Sequence, residues 1–227
     1  MLHFLSYGGG VNSTALLLEL HRRGIWDDSW DAVFCDTGAE RQRTLDYVGM
    51  MQERFEITVI DGMRRGLGLY DYCMKYRIIP SPRQRWCTEE FKVKPVEEYV
   101  AEQAAGMEYT EVIGYDAGET HRAVKTELRK ERVWFPLIEW GVDRQGCVEI
   151  IEQAGFPVPA HSGCFICPFM SPAEIIEMRH DAPIEFSKAV ALEKAVAEKQ
   201  AEKGKPSFSI KDRGSLESIA AQERFAF

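Results

Sequence analysis

Ser6-Tyr7-Gly8-Gly9-Gly10-Val11-Asn12-Ser13-Thr14 decides how this chain is read. It follows a short apolar run, Leu2, Phe4 and Leu5, and precedes Ala15, Leu16, Leu17, Leu18 and Leu20, which fill one side of a helix until Gly24 offers a stop. Consecutive glycines therefore join a strand to a helix. The first turn of a helix has unpaired N–H groups and about half a positive elementary charge, so a loop in this place favours a phosphate. Glycines let the amides approach the anion, Asn12 or Ser13 can cap the helix, and the hydroxyls of Ser13 and Thr14 can add donors. For the loop alone, the competing reading is a plain glycine turn with a capped helix. No lysine follows the glycines as a Walker A loop requires, and Asn12 or Ser13 stands where the last glycine of G-x-G-x-x-G would fall.

Working outward, strand-like runs at Leu2–Tyr7, Asp31–Cys35, Glu56–Ile60, Tyr109–Gly114 and Val133–Leu137 alternate with helical patterns. The helices fall at Asn12–Arg23, Arg41–Arg54, Pro95–Ala105, Thr120–Lys130 and Arg144–Gln153. This alternation predicts an α/β fold, a Rossmann-like parallel five-stranded sheet with helices on both faces, because parallel neighbours require crossovers that cover both surfaces. Ligands of such sheets gather at the carboxyl ends of the strands. The glycine loop, Asp36 and Gly114 to Arg122 all follow strands, so they can converge on one nucleotide. We expect a nucleotide-binding domain over residues 1–140 and a C-terminal cysteine loop with a helical extension over 141–227. The segment Lys188 to Lys205, dense in Lys, Glu and Ala, reads as a solvated helix.

The chain has 227 residues, 45% of them hydrophobic, enough for one sizeable core. No apolar run reaches the ~20 residues of a membrane helix, and the opening lacks a signal-peptide pattern, so no membrane association and a cytoplasmic location are expected. With 28 Lys plus Arg against 36 Asp plus Glu, the composition advertises no broad nucleic-acid surface. Two local basic segments stand out, one at Arg77, Arg83, Arg85, Lys92 and Lys94, the other at Arg122, Lys125, Arg129, Lys130 and Arg132. Tyr70, Tyr72, Tyr76 and Trp86 interleave with the first and can stack on a base or belong to the core.

Six cysteines in a chain read as intracellular point to metal or redox chemistry rather than to disulfides. Cys164-Phe165-Ile166-Cys167, flanked by Gly163 and Pro168, suits a tight turn that aims two thiolates at one centre. This is half a site. Cys35, Cys73 and Cys147 lie in apolar or helical surroundings and read as core residues.

Gly8-Gly9-Gly10-Val11-Asn12-Ser13 resembles the PP-loop, S-G-G-x-D-S, of the PP-loop ATP pyrophosphatase and PAPS reductase-like superfamily, whose members are adenine nucleotide alpha hydrolase-like. Gly8 stands for the first serine, and Asn12 for the acid, which removes the carboxylate with which that position could hold a metal. Other segments match in order. Asp36-Thr37-Gly38-Ala39-Glu40 is similar to the D-T-G-x-x-x-E region, Arg85-Trp86-Cys87 with Lys92 and Pro95 to the cysteine that precedes K-x-x-P, and Gly114 to Arg122 to G-x-x-x-x-E-x-x-R. Phe135 to Trp140 is similar to the family's closing strand. The resemblance runs from about Leu2 to Phe169.

It implies ATP and Mg2+ as cofactors, with Ser6, Gly8, Gly9, Gly10, Asn12, Ser13, Thr14, Asp36, Gly114 and Glu119 around the nucleotide. Asn12, Ser13, Lys92 and Arg122 are the implied catalytic residues, and Arg85, Lys92 and Arg122 the cations facing an anionic substrate. In the iron–sulfur branch it implies Cys87, Cys164 and Cys167 as metal ligands of a 4Fe-4S cluster with one open iron. Structural Zn2+ with His161 as fourth ligand, and free redox thiols, are the alternatives. The implied function is adenylation of an acceptor with release of pyrophosphate, then sulfurtransferase chemistry. The acceptor is tRNA or a DNA backbone, the sulfur donor a protein such as a cysteine desulfurase, and a homodimer is compatible. One alternative is a PAPS or adenylylsulfate reductase. Against it, the thiol that attacks the sulfonucleotide would lie on a C-terminal segment, and Gly204 to Phe227 has none. The other is a non-catalytic nucleotide-binding subunit, motivated by Gly8 and Asn12.

Overall fold

Alternation along the strands decides which residues cover which face of the sheet. In a computed structural model, which describes residues 1–130, 132–206, 209–211 and 214–221, β1 (Leu2–Ser6) leads through the glycines into α1 (Val11–Arg22). Then come β2 (Trp30–Asp36), α2 (Gln42–Gln52), β3 (Ile57–Asp61) and α3 (Leu69–Tyr76). A short α4 (Trp86–Thr88) runs through a π-turn at Glu89–Val93 into α5 (Lys94–Ala104), followed by β4 (Tyr109–Ile113). A 3-10 turn at Ala117–Glu119 opens α6 (Thr120–Glu127), and β5 (Val133–Trp134), α7 (Pro136–Glu139) and α8 (Arg144–Gln153) complete this part. The last helices are α9 (Pro172–Asp181), α10 (Pro183–Glu202) and α11 (Leu216–Ala221).

The five strands form an all-parallel sheet in the order β3-β2-β1-β4-β5. Leu5 pairs with Ala32 on one side and Val112 on the other. Phe4 and Val33 point to one face, where Val96, Tyr99 and Val100 of α5 cover them. Their neighbours Leu5, Ala32 and Phe34 point to the opposite face, against Leu16, Leu17 and Leu20 of α1, Val48 of α2 and Ile151 of α8. Helices thus lie on both faces, as expected.

By contacts the chain divides into two compact units, each built from discontinuous segments. The first comprises Met1–Asp36, Gln42–Ile60 and Lys94–Ser162 and contains the sheet; the second comprises Thr37–Arg41, Asp61–Val93 and Gly163–Phe227. Residues 141–162 thus fall in the first unit. The second has its own core of Leu69, Tyr72, Phe91, Ile166, Met178, Leu192 and Ile219.

Two expectations are corrected. The run Val133–Leu137 is a strand only to Trp134, because Pro136 has no N–H for the ladder and instead opens α7 at its first position. Nor is Lys188 to Lys205 simply solvated: α10 begins at Pro183 and buries Ala189, Leu192, Glu193 and Val196, one helical stripe, in the second core. The end of the expected helical extension, residues 222–227, lies outside the described residues. Among the described residues no helix is long and apolar enough to cross a membrane.

Candidate functional site

In the first unit the glycine loop leaves the carboxyl end of β1 and starts α1 at Gly10, whose extended backbone caps the helix without any side-chain hydrogen bond. Neither Asn12 nor Ser13 is the cap. Ser13 tightens the loop from within, its Oγ accepting from Gly8 N at 3.2 Å and donating to Gly10 O at 3.1 Å. Gly9 has φ +64°, and a Cβ there would lie 3.0 Å from Val48 Cγ2. The close approach recurs at Gly114, just after β4, where a Cβ would meet Ser13 Cα at 3.1 Å and Asn12 C at 3.2 Å. Glycine there lets the ends of two adjacent strands meet at the helix start. Thr14 is fully buried, its hydroxyl 3.2 Å from the Tyr7 hydroxyl, so it faces the core rather than the loop mouth. Ser6 closes β1 in register with Val33 and Ile113, and Asp36 closes β2.

Asn12 is the hub of the polar groups. Its Nδ2 donates to Asp116 Oδ2 at 2.9 Å and to Glu119 Oε2 at 3.0 Å, and its Oδ1 accepts from an Arg144 guanidinium nitrogen at 2.8 Å. Asp116, itself buried, accepts from Gly118 N at 2.8 Å and forms a capping box with Glu119, so both carboxylates are fixed by backbone. Arg122 pairs with Glu119, and its guanidinium lies 4.3 Å above the Tyr115 ring, which stacks on Phe135 at 5.5 Å. Two carboxylates, two guanidinium groups and a helix start without a side-chain cap thus surround one amide. Such a set can hold a divalent cation and the phosphates it neutralises.

In the second unit the cysteine loop is pinned by backbone. Glu40 and Cys164 form an antiparallel bridge, Phe165 N donates to Ala39 O at 2.9 Å, and Cys167 N closes the turn on Cys164 O at 3.0 Å. Thr37 Oγ1 lies 3.1 Å from Glu40 Oε1 and 3.4 Å from Cys164 Sγ, which is 3.6 Å from the same carboxylate oxygen. Lys92 Nζ stands 3.9 Å from it. Burial pushes the thiols of Cys87, Cys164 and Cys167 up, and at Cys164 the nearby Glu40 carboxylate adds to it. All three border the same core.

Three thiols on one core are a donor set that fits an iron–sulfur group in kind, since soft thiolates suit it. Their placement is looser than ligation requires. Among the described residues no three His, Cys, Asp or Glu side chains stand close enough to hold a metal ion. His161 is exposed, with its carbonyl accepting from Arg43 at 3.3 Å. Cys35, Cys73 and Cys147 are buried, as expected, and burial pushes Cys73 and Cys147 up to about 12.

Arg144 was not foreseen as a site residue, because nothing near it in sequence links it to the loop. Asp116 did carry a local signal, an acid three residues before Glu119 at the start of a helix.

No family model matches the chain. It is 25% identical over 203 residues to one uncharacterized protein of Methanocaldococcus jannaschii, covering 82% of this chain and 46% of that one. A second uncharacterized protein of the same organism is 26% identical over 208 residues, covering 86% and 42%. The chain therefore spans less than half the length of these relatives. Among solved structures it is similar to the U34-tRNA thiolase NcsA from Methanococcus maripaludis with its 4Fe-4S cluster, with a TM-score of 0.50 at 11% identity, over 97% of this chain and 80% of that one. At that identity the likeness is one of fold.

Proposed function

We propose that this protein is a PP-loop enzyme that binds ATP, adenylates an acceptor with release of pyrophosphate, and takes part in sulfur transfer to that acceptor. The observation that carries the reading is the Asn12 hub: an amide at the start of α1 bonded at once to Asp116, Glu119 and Arg144, beside the glycine loop. The amides of Gly9 and Gly10 and of the first turn, which has no side-chain cap, would receive the pyrophosphate portion of ATP. Asp116 and Glu119 would hold Mg2+, taking over the role that Asn12, lacking a charge, cannot fill. Arg122 and Arg144 would offset charge developing on the leaving group, and Gly114 lets the end of β4 close on the Asn12–Ser13 backbone that carries them.

In the second unit Cys87, Cys164 and Cys167 would hold the 4Fe-4S cluster. When bound, that group would supply a site at which sulfur is carried in reduced form. The Thr37 hydroxyl, 3.4 Å from Cys164 Sγ, would donate to the ligating thiolate, and Lys92 would balance the neighbouring Glu40 carboxylate. Because the structural neighbour acts on tRNA, an RNA nucleobase is the first acceptor to test. The experiment is to incubate iron-reconstituted protein with ATP and RNA or DNA and to measure products. Acceptor-dependent AMP and pyrophosphate support the reading; ADP and phosphate overturn it.

A further inference from the structure

Basic and aromatic residues between Asp61 and Val93, Arg85 of the first basic segment among them, gather in the second unit. The Arg65 guanidinium lies 6.0 Å from the Tyr76 ring centre and donates to its hydroxyl at 3.3 Å, and Lys75 Nζ lies 5.8 Å from the same ring. Tyr76 packs at 4.5 Å against Tyr72, and Tyr72 at 6.1 Å against Trp86. Next to Trp86, Arg85 is exposed and sits 5.6 Å over the ring of Phe169, which is itself 56% exposed. Phe169 follows Cys167 by two residues, and its backbone N–H bonds to the Cys167 thiol. Two cation–ring groups, Arg65 and Lys75 with Tyr76 and Arg85 with Phe169 beside the cysteine loop, are therefore joined through the buried Tyr72.

Its charge departs from that of the chain. Between Asp61 and Val93 there are seven Lys or Arg against four Asp or Glu, a net of +3 in a protein of net −8. Arg65 and Arg85 also have left-handed backbones, with φ of +54° and +47°. Side chains rarely accept that conformation, and such strain gathers at functional surfaces.

We propose that these groups bind an unstacked stretch of polynucleotide, with a base on the Phe169 ring beside Arg85 and backbone phosphates at Arg65 and Lys75. An exposed ring such as Phe169 grips the flat face of any base, whereas a duplex hides those faces. The cations supply the phosphate contacts. The inference deepens the proposed function by naming the form in which an acceptor is presented, and it rests on that reading only for the chemistry after binding.

The test uses the full chain, without ATP, and fluorescence anisotropy with a short unstructured RNA, a DNA of the same sequence, and the corresponding duplexes. The single strands are expected to bind better than the duplexes, and the tighter of the two identifies the acceptor polymer. Arg85→Ala and Phe169→Ala should each weaken single-strand binding about tenfold, with Phe169→Tyr close to the parent. Arg85→Ala should also flatten the dependence on salt. An unchanged melting temperature shows that the variants fold. Equal affinity of parent and alanine variants, or a preference for duplex, overturns the proposal. Loss of AMP formation with intact strand binding would sink the proposed function and leave this inference standing.

Discussion

At the scale of single residues, Asn12 explains a departure that looks damaging in sequence. An aspartate there would put a third carboxylate within hydrogen-bond distance of Asp116 and Glu119, where like charges repel and two acceptors lose their donor. Asn12→Asp should therefore cost about 2 kcal/mol of stability by urea unfolding without divalent ions. Mg2+ should restore part of the loss, since three carboxylates make a stronger cation site. Equal stability of parent and variant would refute the hub. The cysteines separate in a similar way. Cys73 and Cys147, buried and pushed up to about 12, stay protonated at mildly alkaline pH. Iodoacetamide on the folded, metal-free protein should therefore label the half-buried Cys87 and Cys167 first, as read by peptide mass spectrometry.

At the scale of elements, the glycine loop and the C-terminal helices give two contrasting tests. Gly9→Ala meets both a left-handed φ and a side-chain wall at Val48 and Thr44, whereas Gly24→Ala, at φ +65°, meets nothing within 4 Å. The first should cost roughly 1–3 kcal/mol and weaken ATP binding. The second should cost only about 1 kcal/mol and leave binding intact, which calorimetry with ATP distinguishes. Glu193 of α10 accepts from the backbone N–H groups of Ile210 at 2.8 Å and Leu216 at 2.9 Å, and burial raises its pKa. As pH climbs through the ordinary glutamate range, the unfolded chain loses this proton first. The group's contribution to stability therefore falls until the folded carboxyl ionises too. Glu193→Gln should flatten that part of the melting-temperature profile against pH.

At the scale of the whole molecule, the chain passes between its two units five times, since six alternating segments compose them. Neither unit is one continuous stretch. A fragment ending at Ser162 keeps Leu69, Tyr72, Cys73 and Phe91 but loses Ile166, Met178, Leu192 and Ile219, their partners in the second core. It should bind hydrophobic dye and lack a sharp unfolding transition, whereas the full chain melts cooperatively.

Much of the fold was legible in local pattern. The alternating strands, the glycine break before α1 and the bounds of α8 follow from periodicity and turn chemistry that neighbours in sequence dictate. The start of α9 carries a local signal too, a capping box of Ser171 and Glu174 with Pro172 at the first position, although the expected helices did not include it. The buried side of α10 was hidden because Lys and Glu around it look solvated, and only the second core shows where Ala189, Leu192 and Val196 go. In the candidate site, sequence alone placed a glycine-rich loop at the end of the first strand and paired two thiols across a turn. Which side chains complete the loop was decided by tertiary structure. Arg144 lies 132 residues from Asn12 and Asp116 104, and only the parallel sheet, by aligning the ends of β1 and β4, brings them to one amide.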